Sequence, residues 1–318
     1  MKPFKKLLIL FLVGMLNSKL AQATDLLLDT NLTFKYDNNV SLAESNRDVF
    51  SDEIVTLKLV ASKNLRPSSH SSLSIITKLS RNQYVRFDDL SNTGLALEAR
   101  YRIQPVIGFY QPWLELGISA EKLEFDDSDI RDGALFNLNL SAHKRFTERL
   151  NANIGIGAEK RSTDSKDVFE WERYNLFLNS QYKWSEDVTL LAGYSFIKGD
   201  QVFVATPPGL VQTNSPIYVP KYSPVYPYGL IANPNPAAAA VQVPNPYANA
   251  NATAPDPTFG QRFVYRLPAR ANTFNASINY RINSSNKVDF GLQYAKINAE
   301  GNHQYDATKA NISWLHRF

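Results

Sequence analysis

The sequence contains no cysteine. A chain without cysteine forms no disulfide, has no thiol nucleophile and offers no sulfur ligand for haem attachment or an iron–sulfur cluster. Long apolar runs are also lacking, because beyond the first two dozen residues Asn, Ser, Lys or Glu interrupts every hydrophobic stretch within a few positions. A helix that crosses a bilayer needs about 20 mostly apolar residues. The sequence therefore excludes a helical membrane protein.

The first 23 residues predict an export signal. MKPFKK contributes three lysines, LLILFLVGML is an apolar run of ten residues, and Ala21 and Ala23 flank Gln22. A basic start, a short apolar middle and an A-x-A ending are typical of a secretory signal peptide, which we expect to be cleaved after Ala23. An N-terminal membrane anchor is the alternative, but this apolar run is too short to cross a bilayer.

Removal of that signal would leave a chain with balanced charge. The whole sequence has 34 Lys and Arg against 30 Asp and Glu, and the signal holds four lysines and no acid, which leaves 30 charges of each sign. Proteins that bind nucleic acid concentrate basic residues in a patch or stripe. We therefore expect no nucleic-acid partner.

Twelve segments alternate apolar and polar residues with the two-residue period of a strand that has one apolar face. In FNLNLS at 136–141, for example, Phe and Leu alternate with Asn and Ser. The segments lie near 26–37, 53–63, 71–82, 93–104, 112–123, 133–146, 149–161, 170–184, 187–199, 269–283, 286–297 and 306–318.

A soluble β-sandwich would show the same alternation, but three features favour a closed transmembrane barrel. The segments have at least 11 residues, whereas a globular strand averages about 5–6 and a tilted membrane-spanning strand needs about 9–11. Short connections alternate with longer, more acidic ones, which indicates short turns at one rim and long loops at the other. Aromatic residues at the ends of the apolar faces are typical of interfacial girdles: Tyr36, Trp113, Tyr182, Trp184, Tyr194, Phe196, Tyr280, Trp314 and Phe318.

The final residues, ANISWLHRF, place Ile312, Trp314 and Phe318 on one face of a strand. This ending resembles the C-terminal insertion signal of Gram-negative outer-membrane β-barrel proteins, porin-like barrels whose last strand ends in Phe or Trp. His316 departs from the pattern, which usually has an apolar or aromatic residue there. The resemblance implies insertion by the barrel-assembly machinery, contact with outer-membrane lipid and lipopolysaccharide, and short turns that face the periplasm.

We therefore expect residues 24–318 to form one all-β domain, a closed antiparallel up-and-down barrel of about 12 strands. Residues 200–268 interrupt it between the ninth and tenth strands. They hold 13 of the 17 prolines, and Lys221 and Asp256 are the only charges between 201 and 261. This composition favours extended polyproline segments in a long extracellular loop. The loop either folds against the barrel mouth as a constriction or stays a mobile surface loop, and the composition leaves both open.

If the apolar faces meet lipid, the polar faces line a lumen in which cations outnumber acids. The predicted lumen-lining residues are Lys35, Lys58, Lys78, Glu98, Arg100, Arg102, Glu115, His143, Arg145, Glu159, Arg173, Lys183 and Arg281. A cation-rich lining favours anions, so we predict a narrow pore for small polar, anionic or saccharide solutes. The alternative is a lumen filled by salt bridges, with Glu98, Arg100 and Arg102 in one of them.

Two other functions stay open. Twelve-stranded proteins of the resembled class include a phospholipase, so Ser141-x-His143 raises the hypothesis of a hydrolase that acts on lipid or lipopolysaccharide. The lipase-type order on that strand is His-x-Ser, and the inward direction of both side chains favours a lumen role. The third hypothesis is a surface scaffold or adhesin that displays 200–268 to an unknown partner. The four histidines lie apart in the sequence and no phosphate-binding loop occurs, so we predict no metal, no cofactor and no catalytic site.

Overall fold

The computed structural model describes residues 26–164, 167–205, 228–231, 241–244, 252–260 and 262–318. The predicted signal peptide and most of the Pro-rich segment lie outside these ranges. Twelve long strands dominate: β1 Leu26–Asp37, β2 Asp52–Ser68, β3 Ser71–Tyr84, β4 Asn92–Ile103, β5 Trp113–Phe125, β6 Gly133–Arg145, β7 Leu150–Thr163, β8 Trp171–Lys183, β9 Val188–Ala205, β13 Arg262–Arg281, β14 Asn286–Ala299 and β15 Gln304–Arg317.

The remaining elements are short. Three short strands lie in the Pro-rich segment: β10 Tyr228–Ile231, β11 Val241–Pro244 and β12 Ala252–Asp256. Single turns of 3₁₀ helix occupy Asp88–Leu90, Asp129–Arg131, Asp167–Phe169, Pro257–Phe259 and Glu300–Asn302. Within the described ranges, no helix has the length and apolarity that crossing a membrane requires.

The twelve long strands form a closed antiparallel barrel. Each pairs with its neighbour in the chain from β1 to β9 and from β13 to β15, while β9 pairs with β13 and β15 pairs with β1. Each long strand therefore has a partner on both sides, and closure leaves none of them with an open edge. The predicted fold class and strand count are confirmed. β10 pairs only with β11, and β12 adds to the start of β13.

The predicted face of the barrel points outward. Leu138, Leu140 and Ile278 are about half exposed, at 50%, 47% and 49%. Large apolar residues with the same parity are exposed along the other strands, which gives the apolar outer band of a transmembrane barrel. Polar residues at the intervening positions face the interior, since successive side chains alternate across a strand.

The last strand closes the barrel by antiparallel pairing with the first. Pairing with β1 runs from Asp29 opposite Arg317 to Asp37 opposite Lys309. The Phe318 backbone N–H donates to the Leu28 carbonyl at 3.0 Å. Ile312, Trp314 and Phe318 are all exposed on the outer side, Phe318 to 75%.

β9 and β13 run further than the alternation indicates, into the segment that we predict as loop. Residues 200–205 of β9 pair with residues 263–268 of β13. Their sequences, DQVFVA and FVYRLP, carry apolar residues at consecutive positions instead of alternate ones. Such runs are typical of strands buried on both faces, and a search for alternation misses them.

Candidate functional site

Three predicted lumen lysines converge in the middle of the barrel. Lys35, Lys58 and Lys78 line a cavity of about 320 Å³. They come from β1, β2 and β3, which are adjacent strands, so their inward positions lie side by side. The rest of the lining is mostly hydroxyl and amide groups, with one carboxylate: Thr33, Thr56, Ser80, Asn82, Ala96, Ser119, Glu121 and Asn137. We call this cavity the lysine chamber.

The three lysines differ in their partners. Lys78 Nζ donates to Glu98, and Arg100 Nε donates to the other oxygen of the same carboxylate. The predicted salt-bridge network at Glu98 therefore exists, but Arg102 is not part of it. In the part of the chain that the structure describes, no hydrogen bond or ion pair reaches the Nζ atoms of Lys35 and Lys58. Two cations of the chamber are thus available to a solute.

Arg102 lies instead in an aromatic cluster at the short-turn end of the barrel. Its Cζ atom is 4.2 Å from the ring centroid of Trp113, and the Trp113 and His143 rings stack at 5.0 Å. Arg145 lies over Phe109, with Cζ 4.4 Å from the ring centroid. Trp113 thus faces the lumen with His143, and its assignment to the outer girdle was wrong. Trp113 and Glu115 are two residues apart on β5 and therefore lie on the same face of the strand, and this spacing could have placed Trp113 in the lumen.

Ser141 and His143 contact each other, as the hydrolase hypothesis requires. Ser141 Oγ is 2.8 Å from His143 Nε2, and Asn153 Nδ2 is 3.4 Å from His143 Nδ1. Glu115 lies directly opposite Ser141 in the β5–β6 ladder. All four side chains are on the inward face, away from lipid.

The other predicted lumen residues lie nearer the barrel ends. Lys183 is the exposed last residue of β8, and Arg281 pairs with Asp187 at 3.1 Å in an exposed turn. Both belong to the short-turn rim instead of the wall. Glu159 and Arg173 lie opposite each other in the β7–β8 ladder near the long-loop end.

Asparagine amides cover the wall opposite the lysines. At Gly193, a Cβ atom would fall 2.4 Å from Asn275 Oδ1 and 2.5 Å from Asn179 Oδ1. The glycine therefore leaves room that two amide side chains fill. The lumen thus has a cationic wall on β1–β4 and an amide-rich wall on β8, β9 and β13.

The extensions of β9 and β13 fold over the long-loop end of the barrel. We call residues 201–205, 257–260 and 262–268 the cap. Gly199 marks the point where β9 leaves the wall: its φ of +145° suits glycine, and a Cβ there would lie 2.2 Å from the Glu172 carbonyl oxygen. β8 pairs with β9 only as far as Gly199. Beyond it, Val264 on one face of the cap and Leu267 on the other are fully buried.

Both faces are buried because the cap lies among the loops. One apolar cluster contains Leu90, Val168, Phe169, Trp171, Val202, Val204, Phe259 and Val264. Val40, Phe87 and Ile130 pack against it, so it joins all the connections from β1–β2 to β7–β8 that lie at this rim. Loops from different sides of the rim can contact one apolar cluster only if that cluster crosses the mouth of the barrel. The described cap therefore crosses the mouth of the barrel.

A buried ion pair and aromatic contacts hold the cap in place. Arg262 Nε donates to Asp48 Oδ1 at 3.1 Å, and Asp48 is only 2% exposed. The Phe259 ring lies 5.0 Å from that of Phe87. Ala43 forms an isolated parallel bridge with Val204. Contacts between residues some 150–220 positions apart leave no local signal in the sequence.

Beneath the cap lies a second cavity, of about 390 Å³, which we call the arginine chamber. Among the described residues, its charged lining consists of Arg131, Arg161, Arg173 and Lys309 with one acid, Asp37. Asp37 pairs with Lys309 at 2.8 Å. Arg131 and Arg161 are absent from the predicted lumen set. Arg161 is two residues beyond Glu159 on β7 and so lies on the same inward face, which the sequence could have shown. Arg131 is in a loop whose path the sequence does not indicate.

Comparison with known proteins identifies the fold. No protein-family model matches the chain, and no curated protein matches its sequence. Among solved structures, an outer membrane channel from Pseudomonas putida F1 aligns with a TM-score of 0.54 and 10% identity over 93% of this chain and 96% of that one. KdgM porin aligns at 0.44 and 11% over 91% and 99%, and NanC porin at 0.43 and 9% over 92% and 100%. The chain has the barrel fold of that outer membrane channel.

Proposed function

We propose that the protein is an outer-membrane channel through which small polar solutes, anionic or saccharide, diffuse. The lysine chamber carries the proposal, because two of its three lysines have no partner in the described structure and cationic linings favour anions. The surrounding hydroxyl and amide groups provide donors and acceptors for sugar hydroxyls. The cap crosses the long-loop end of the barrel, so in this proposal transport requires the cap to move.

The outward apolar band supports location in a membrane, and the barrel fold resembles that of Gram-negative outer-membrane proteins. After removal of the signal, the short-turn end would face the periplasm and the cap the exterior. Lipopolysaccharide would then surround the upper half of the barrel, and the barrel-assembly machinery would insert the chain. We propose no cofactor.

The first prediction concerns ion selectivity. Exchange of Lys35 and Lys58 for glutamine should lower the anion-to-cation permeability ratio at least threefold, since the exchange removes the two unpaired cations of the chamber. The measurement is the reversal potential in planar bilayers under a KCl gradient. The same measurement is made with residues 200–268 replaced by a short Gly-Ser linker, which joins Gly199 to Ala269 where wall pairing continues.

Lys160→Gln is the matched control, because Lys160 is exposed on the outer face and pairs there with Glu172. It removes one positive charge without touching the lumen and should leave the reversal potential unchanged. A folded barrel that carries no current even without residues 200–268 would refute the channel. Equal selectivity in the wild type and the Lys35/Lys58 variant would refute the role of the chamber.

A further inference from the structure

Two guanidinium groups of the arginine chamber, those of Arg161 and Arg173, have few hydrogen-bond partners among the described residues. Arg161 makes one side-chain hydrogen bond, from Nη2 to the Arg131 carbonyl at 2.7 Å. Arg173 makes one long hydrogen bond, from Nη1 to Gln201 Oε1 at 3.4 Å. The Nε–H groups of both residues are buried without an acceptor. Each guanidinium has five N–H donors, so most of them are unused within the described structure.

No described carboxylate forms an ion pair with these two arginines, although Glu159 lies opposite Arg173 in the β7–β8 ladder. Among the described residues, none lies within the 4.0 Å ion-pair distance of either side chain. The one acid of the chamber, Asp37, already pairs with Lys309. Residues 206–251 contain no Asp or Glu, so that part of the Pro-rich segment holds no counter-ion. A buried charge without a partner is strongly unfavourable, and a bound anion would compensate for it.

We propose that the arginine chamber binds a small oxyanion, a carboxylate or phosphate group, on a solute of about monosaccharide size. A guanidinium presents parallel donors that match the two oxygens of such a group. Binding cavities for small molecules measure roughly 300–1,000 Å³, so about 390 Å³ suits a single sugar acid or sugar phosphate. This inference rests on the proposed channel function and names the chemistry of the solute.

A tryptophan in the arginine chamber makes anion binding measurable by fluorescence. The Cζ atom of Arg173 lies 3.3 Å from the ring centroid of Trp171. Trp171 lines the same cavity. An anion that draws the guanidinium away from the indole should change the fluorescence of Trp171, and Trp171→Phe should remove that change.

The test uses the full-length protein in detergent, with glucuronate and inorganic phosphate as probes and glucose as the neutral match for glucuronate. We expect saturable binding of at least one anion, by calorimetry and by fluorescence that depends on Trp171, and none of glucose. Arg161→Gln with Arg173→Gln should weaken binding at least tenfold. Lys122→Gln with Lys160→Gln, which removes two cations from the outer face of the barrel, should weaken it less than threefold.

If the double arginine variant does not fold, as judged by circular dichroism, Arg173→Lys alone serves. This substitution keeps the positive charge but loses the parallel N–H donors of the guanidinium. We therefore expect the affinity for the anion to fall severalfold. No saturable binding of either anion, equal binding of glucose, or unchanged affinity in the arginine variants would overturn the proposal. Anion-selective current without anion binding refutes only this inference, whereas failure of the current refutes the channel.

Discussion

The side-chain amide of Asn153 faces one ring nitrogen of His143 and so affects which nitrogen carries the proton. Its Oδ1 accepts from Asn179 Nδ2 at 3.0 Å, so its Nδ2 faces His143 Nδ1. An amide NH₂ only donates, so in this arrangement a neutral His143 ring accepts at Nδ1 and donates from Nε2 to Ser141 Oγ. A hydrolytic serine instead donates to an unprotonated imidazole nitrogen. The polarity of this network favours a lumen hydrogen-bond chain over a nucleophile and base.

We therefore predict that Ser141→Ala changes stability and not chemistry. Loss of one partly buried hydrogen bond should lower the free energy of unfolding by about 1 kcal/mol, measured by urea denaturation in detergent. Hydrolysis of p-nitrophenyl esters and of phospholipid should equal the protein-free rate for both the wild type and the variant. Wild-type turnover that disappears in Ser141→Ala would contradict this and restore the hydrolase hypothesis.

At the scale of elements, the extended β9–β13 hairpin is unlike the other strand pairs. The others end near the rim, whereas this one bends at Gly199 and has both faces buried. Apolar clusters pack against both of its faces, whereas few ion pairs attach it, and the Arg262–Asp48 pair is the most buried of these. Removal of one buried pair shifts the balance between the closed and open states of such an element.

Asp48→Ala should increase opening of the channel. Removal of one partner from a buried ion pair costs about 3 kcal/mol, and the pair exists only while the cap is closed. The ratio of open to closed channels should therefore rise roughly a hundredfold, measured as open probability in planar bilayers. Arg281→Ala is the control, because it breaks an exposed pair at the opposite rim, worth under about 1 kcal/mol.

A disulfide between the cap and the β1–β2 loop should lower the open probability in the same planar-bilayer recordings. The chain has no native cysteine, so Ala43→Cys with Val204→Cys introduces one defined pair at the isolated bridge. Oxidation should hold the cap closed and dithiothreitol should restore the current. Full current through the oxidised, cross-linked protein would show that the cap does not control the mouth.

At the scale of the whole molecule, the barrel exists only when β15 meets β1. Nine residue pairs join them, and in the pair nearest the chain end Arg317 Nε donates to Asp29 Oδ1 at 2.8 Å. Phe318 contributes little to this closure because 75% of it is exposed, although its ring touches that of His316 at 4.6 Å. The exposed ring therefore has little packing role, and the recognition by the assembly machinery that we propose would use it.

Phe318→Asp should thus reduce assembly in cells far more than stability in the purified protein. We expect at least a fivefold loss of heat-modifiable barrel in the outer membrane, with unfolding of the refolded protein shifted by less than about 0.5 kcal/mol. Phe146→Asp, an equally drastic change in an exposed short turn, is the control. A large loss of stability in the refolded Phe318→Asp protein would assign Phe318 a structural role instead.

The sequence by itself determined the twelve strands, their order around the barrel and the face that each turns outward. Alternation is a local property, and short connections force consecutive strands to pair. It also indicated the lysine wall, since Lys35, Lys58 and Lys78 have inward parity on adjacent strands. Only the tertiary structure decided that the hairpin beyond Gly199 crosses the mouth, and that Arg131, Arg161 and Arg173 meet beneath it. Those contacts join loops that are far apart in the chain. Their geometry follows from barrel closure and from a strand that bends out of the wall. Neither of these leaves a periodic pattern of apolar residues in the sequence.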